Sequence, residues 1–215
     1  MEKPFSLRVL RVLHFFVVAF SVATPAAAQD APSPLVLVLH PGGARGPGYG
    51  AEFARRVVEP ALRQLKPVIV APDCLERAWS DAACEKAALS LIDDAMRTRN
   101  IDRKRVLVVG YSMGGRGAWY MASQHPDLFT AAIPMAASTR DLAIDRLATQ
   151  PTYIIHSRAD EVVPFDPAEK NARELRKLKR DVQFVALDDF THFDMVSYVD
   201  ALRDAGRWVA GRWKK

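Results

Sequence analysis

Six apolar stretches rich in β-branched residues recur along the chain, most of them separated by segments of helical spacing, and this alternation restricts the fold more than any other feature. They are LVLVLH (35 to 40), PVIVAPD (67 to 73), RVLVVGYS (105 to 112), FTAAIPMAA (129 to 137), TYIIHSRAD (152 to 160) and VQFVALDDF (182 to 190). Apolarity without strict polar alternation means that both faces of each strand are covered, as in a parallel sheet between helices. Helical spacing is predicted over 51 to 65, kinked at Pro60, and over 82 to 99, 114 to 125, 166 to 180 and 194 to 212. Met195, Val199, Leu202 and Val209 share one face of the last. The expected fold is α/β, a mostly parallel six-stranded sheet flanked by helices. Such sheets bind ligands beyond the carboxyl ends of their strands, so the chemistry should sit on strand ends and the loops that follow.

At 215 residues, 49% apolar and 26% charged, the chain suits one domain with a sizeable core and excludes disordered, collagen-like and coiled-coil readings. The first 28 residues read as a secretory signal peptide cut after Ala28, leaving a single domain over 29 to 215. MEKPFSLRVLR is basic, VLHFFVVAFSV is too short to span a bilayer comfortably, and ATPAAAQ supplies small residues. An uncleaved anchor is the competing reading. Cleavage would remove three bases and one acid, leaving 27 against 24, or +3 on 187 residues. That balance predicts no nucleic-acid partner, and the basic run RELRKLKR (173 to 180) reads as a solvated helix face. A secreted or periplasmic protein without stable membrane insertion is expected. Cys74 and Cys84 are the only cysteines, and export favours a bridge between them over two idle thiols. They lack the further ligands that a zinc site needs.

Strand RVLVV runs into Gly110-Tyr111-Ser112-Met113-Gly114-Gly115 and then a helix, a G-x-S-x-G pattern in the strand–turn–helix context that gives it meaning. So sharp a turn strains the serine backbone and leaves room only for glycine on either side. Ser112 is thereby the candidate nucleophile. A serine hydroxyl needs a base near neutral pH, and five histidines offer themselves. His14 lies in the leader, His40 ends the first strand, His125 closes a helix and His156 lies inside an apolar strand. His192 remains, on the loop after the last strand. Its imidazole needs a carboxylate to hold the tautomer, and Asp160, ending the preceding strand, is the choice. Glu161 is expected to point elsewhere, Asp166 to cap a helix before Pro167, and Asp188 and Asp189 lie too near His192 in sequence. The developing oxyanion calls for two donors: the Met113 amide and one from His40-Pro41-Gly42-Gly43-Ala44, where Gly42 is favoured by position and Gly43 stands close behind. Pro41 has no N–H to give.

LHPGG, GYSMGGRGAWYMASQHPDLFTAAIPMAA, HSRADEVVPF and DFTHFD together resemble the α/β-hydrolase fold. Within it they resemble small esterases of the phospholipase/carboxylesterase, dienelactone-hydrolase-like and polyhydroxybutyrate-depolymerase or feruloyl-esterase-like groups. The resemblance spans about residues 35 to 200. It implies Ser112 as nucleophile, His192 as general base, Asp160 as its orienting acid, and Met113 with Gly42 as the oxyanion hole. HPGG stands where relatives commonly have HG-x-G, and HSRAD where HG-x-x-D is usual. Relatives also carry two further strands ahead of the LVLVLH equivalent, so this chain resembles a minimal version.

Nothing of lid size lies between Ala137 and Pro151, which predicts an open cleft. Trp79, Tyr111 and Phe165 are candidates to line it, with a core role equally open to Trp79 and favoured for Trp119 and Tyr120. The expectation is a serine carboxylic-ester hydrolase acting on a small-molecule or polymeric ester, with no metal or organic cofactor implied. A peptidase on the same fold, or a non-catalytic secreted binding module, are the alternatives. Acyl and alcohol preference and oligomeric state are not encoded legibly.

Overall fold

The computed structural model describes residues 31–43, 46–139 and 142–214, so the expected leader falls outside the described residues. Strand β1 (Ser33–Leu39) divides its side chains between two cores, Val36 and Val38 facing one, Leu35, Leu37 and Leu39 the other. All five are fully buried, which is why the sequence shows no polar alternation there. Strand β2 (Val68–Val70) flanks β1 on one side. β3 (Ile101–Tyr111) lies on the other and repeats the division, with Leu107, Val109 and Tyr111 opposite Val106 and Val108. β4 (Ala131–Met135), β5 (Thr152–Ser157) and β6 (Val182–Leu187) complete a sheet of order β2-β1-β3-β4-β5-β6. Every neighbouring pair is parallel, which goes further than the mostly parallel sheet expected.

Helix α1 (Tyr49–Phe53), a π turn (Ala54–Val58) and α2 (Glu59–Leu62) cover one face. α3 (Ala82–Thr98) and α4 (Met113–Gln124) cover the other. α5 (Phe165–Lys177) packs through Ala172 and Leu175 with Ile154 of β5, Val182 of β6 and Trp119 of α4. α6 (Val199–Arg212) returns to the first face through Leu202, Ala205 and Val209. The kink expected at Pro60 takes the form of the π turn just before it. Pro60 has no N–H for the Arg56 carbonyl, and its ring would strike that carbonyl, so the helical ladder loosens upstream.

β2 is shorter than the predicted run of 67 to 73. Pro67 and Pro72 cannot donate to a sheet ladder. Asp73 turns to the neighbouring loop, where its carboxylate accepts the Gly48 and Gly50 amides at 2.7 Å each. From β1 the chain steps outward to β2, then crosses back to β3 and on to β6. The order therefore reverses between β1 and β3, where a crevice opens at the carboxyl edge.

Candidate active site

Ser112 follows β3 at that crevice with φ 54° and ψ −114°, a strained conformation for any L residue. Two close approaches enforce it. A Cβ on Gly110 would lie 2.0 Å from the Gly114 carbonyl oxygen, and one on Gly114 would lie 1.9 Å from that of Leu39. Only glycine lets α4 start so tightly against β1 and β3. The Ser112 amide donates to the Met135 carbonyl at 3.0 Å, and Met113 opens α4 in its first turn, where amides have no intrahelical acceptor.

Three residues far apart in sequence meet here. His192 Nδ1–H donates to Asp160 Oδ2 at 2.8 Å, which leaves Nε2 to accept the Ser112 hydroxyl, also at 2.8 Å. Asp160 is buried, and its Oδ1 accepts the Val162 and Val163 amides at 3.0 and 2.8 Å. Three hydrogen bonds thus fix the carboxylate and, through it, the imidazole. Gly42 lies beside the turn, a Cβ there being 3.7 Å from Met113 Cβ, whereas one on Gly43 would meet nothing within 4 Å.

His40 has a part that sequence reasoning missed. It is buried, its Nε2 accepts the Cys74 amide at 2.9 Å, and its Nδ1–H donates to the Pro41 carbonyl at 2.7 Å. Its own carbonyl accepts Trp79 Nε1–H at 3.1 Å, and its ring packs against those of Tyr49 and Trp79. The HPGG loop is thereby tied to the segment between the cysteines. Burial pushes the His40 pKa down, partly offset by the Pro41 hydrogen bond and the Asp73 charge. Buried His156 also reaches the relay, its Nε2 lying 3.3 Å from Asp160 Oδ2 while donating to the Val163 carbonyl at 2.9 Å. Burial lowers its pKa as well. The only signal for either role in sequence was a histidine at a strand end or inside an apolar strand.

Trp79 and Met113 help to line a cavity of about 220 Å3, together with Tyr120, Thr139 and Leu142. A Cβ on Gly117 would sit 2.6 Å from that of Trp79, so the indole rests directly on α4. Cys74 and Cys84 are bridged, closing the loop that carries Trp79. Tyr111 and Phe165 are engaged inside the fold. Tyr111 is fully buried and donates its hydroxyl to the His192 carbonyl at 2.9 Å, and Phe165 packs against His156 and Phe184. Their places on the inner faces of the turn and of α5 leave neither in the cavity. Glu161 turns to the main chain rather than to the imidazole, its carboxylate accepting the His192 amide at 3.0 Å. Asp166 lies inside α5, whose cap position is Pro164.

Residues 58–197 match the Dienelactone hydrolase family. Cutinase est1 of Thermobifida alba is 34% identical over 137 residues, covering 59% of this chain and 44% of that protein. A cutinase of Thermobifida fusca (strain YX) is 36% identical over 122 residues, covering 55% and 40% respectively. The match thus spans under half the length of these relatives. Among solved structures, a thermostable esterase superposes with TM-score 0.73 at 23% identity, covering 87% of this chain and 56% of the other. Est1E from Butyrivibrio proteoclasticus gives TM-score 0.62 at 13% identity, covering 86% and 91%. These likenesses establish the shared α/β-hydrolase fold.

Proposed function

The chain belongs to the dienelactone hydrolase family, and on that footing we propose that it is an exported serine hydrolase that cleaves carboxylic esters through an acyl-enzyme. One observation carries the reading: the hydrogen-bonded relay from Ser112 through His192 to Asp160, mounted on a strained turn at the carboxyl edge of the sheet. In the proposed reaction His192 Nε2 takes the Ser112 proton as Oγ attacks the ester carbonyl. Asp160 holds the resulting imidazolium, and the carbonyl oxygen takes up negative charge facing the Met113 and Gly42 amides. His192 then hands its proton to the leaving alcohol. Water, activated the same way, releases the acid and restores Ser112. Each oxyanion donor contributes about 10²–10³ in rate in such sites.

The cavity beside Met113 suits a compact acyl or aryl group, since Trp79, Tyr120 and Leu142 supply flat and apolar walls. Around the relay, Phe193, Val162 and Val196 are 75%, 51% and 51% exposed, an apolar rim that a large or polymeric ester could lie against. The relatives named cutinases and esterases agree with ester cleavage.

A fluorophosphonate probe tests the reading directly. It is expected to label Ser112 in folded protein, and Ser112→Ala is expected to abolish both labelling and hydrolysis of a nitrophenyl ester, a loss on the order of 10⁴-fold or more. A matched anilide should be cleaved far more slowly. No labelling of the folded wild type would sink the hydrolase reading and leave a binding module.

A further inference from the structure

The ring of His192 is held by its two partners, but the loop that presents it is held by two other side chains. Glu161, the residue after Asp160, accepts the His192 backbone N–H at 3.0 Å. Tyr111, the residue before Ser112, donates its hydroxyl to the His192 backbone C=O at 2.9 Å. The chain neighbours of the two other relay members therefore grip the third from either side of its α-carbon. We propose that Tyr111 and Glu161 are positioning residues that fix the main chain of His192, so that its imidazole reaches Ser112 and Asp160 at once. This rests on the hydrolase reading above.

The physical need is plain. His192 sits outside regular structure, between β6 and the turn leading to α6, and an imidazole swings widely if its backbone is free. Ring contacts alone would have to absorb that freedom. A displacement of about 1 Å at such a site can cost 10²-fold in rate. The Tyr111 side is buried and extends inward. The Tyr198 hydroxyl accepts the Ser157 amide at 3.1 Å and its ring packs on that of Tyr111, so the grip runs back to the end of β5. The two rings meet edge to face at 5.0 Å. The Glu161 side is exposed and single, so its share is the smaller.

Steady-state kinetics on a nitrophenyl ester test the proposal. Glu161→Ala is expected to lower kcat about three- to tenfold with KM within about twofold, and Tyr111→Phe about tenfold. Glu161→Gln keeps an oxygen that can accept the His192 amide and should recover most of the loss. In a His192→Ala background, whose residual activity comes from the remaining site, neither substitution should lower turnover further. Unchanged kcat in Glu161→Ala, a Gln variant as impaired as Ala, or equal losses with and without His192 would each overturn it. Should Tyr111→Phe fail to fold, the Glu161 pair decides alone. A wild type that neither labels nor turns over would remove the hydrolase reading and this proposal together. An active wild type with a silent Glu161 pair removes only this one.

Discussion

At the scale of single residues, burial decides the protonation of His40 and His156. The His40 ring faces Asp73 across its loop, and His156 faces Asp160 and His192, yet desolvation outweighs the neighbouring carboxylate at both and lowers both pKa values. In the unfolded chain these histidines titrate near 6.5, whereas the folded protein holds them neutral to lower pH. Between those limits the unfolded state binds more protons. Stability is therefore full above about pH 6.5 and falls as pH drops toward the depressed values. Urea titrations at intervals from pH 7.5 to 5 should show His156→Gln losing less stability on acidification than wild type, and parallel curves would refute the assignment. His40 leads to a different expectation. His40→Ala removes the acceptor of the Cys74 amide and the donor to Pro41, so kcat should fall about tenfold through a loosened HPGG loop, read on a nitrophenyl ester with folding checked by circular dichroism.

At the scale of elements, what the sequence made legible is what depends on local chemistry. Continuous apolar runs marked all six strands, and Gly110 and Gly114 marked the turn because their steric reason lies within one strand–helix junction. Ser112, Asp160 and His192 were within reach because each sits on or just after a strand end. Glu161 and His40 were not, since their hydrogen bonds join segments 31 and 34 residues apart and leave no pattern in either segment. Strand ends also drifted: β2 stopped short where prolines and Asp73 leave the ladder, and β3 began earlier, Ile101 pairing with Ser33 across a register shift. Glycines separate these influences experimentally. Gly114→Ala drives a methyl into the β1 backbone and should destabilise by roughly 2–4 kcal/mol, with activity lost, because neither α4 nor β1 can retreat cheaply. Gly211, near the end of α6, has open space around it, so Gly211→Ala should raise stability by about 0.5 kcal/mol. Chemical denaturation of the two variants beside wild type checks both signs at once.

At the scale of the whole molecule, the bridge and the proposed leader make one argument. A disulfide between Cys74 and Cys84 forms and persists where the compartment is oxidising, and a cleaved secretory leader delivers a chain there. The bridge also has mechanical reach, because the loop it closes carries Trp79, which walls the cavity and donates to the His40 carbonyl. Opening so short a loop costs about 2–3 kcal/mol by chain entropy. It should also let the indole wander, so that kcat/KM falls while labelling of Ser112 persists. We therefore expect protein recovered from the exporting cell's periplasm or medium to begin at Gln29 and to resist alkylation until reduced. Cys84→Ser should then show both the stability loss and the poorer kcat/KM on a bulky aryl ester, with a small acetate ester less affected. Intact-mass measurement with and without reductant decides the first part. Retention of residues 1 to 28 on the exported protein, or thiols that alkylate without reductant, would break the link between compartment, bridge and cavity.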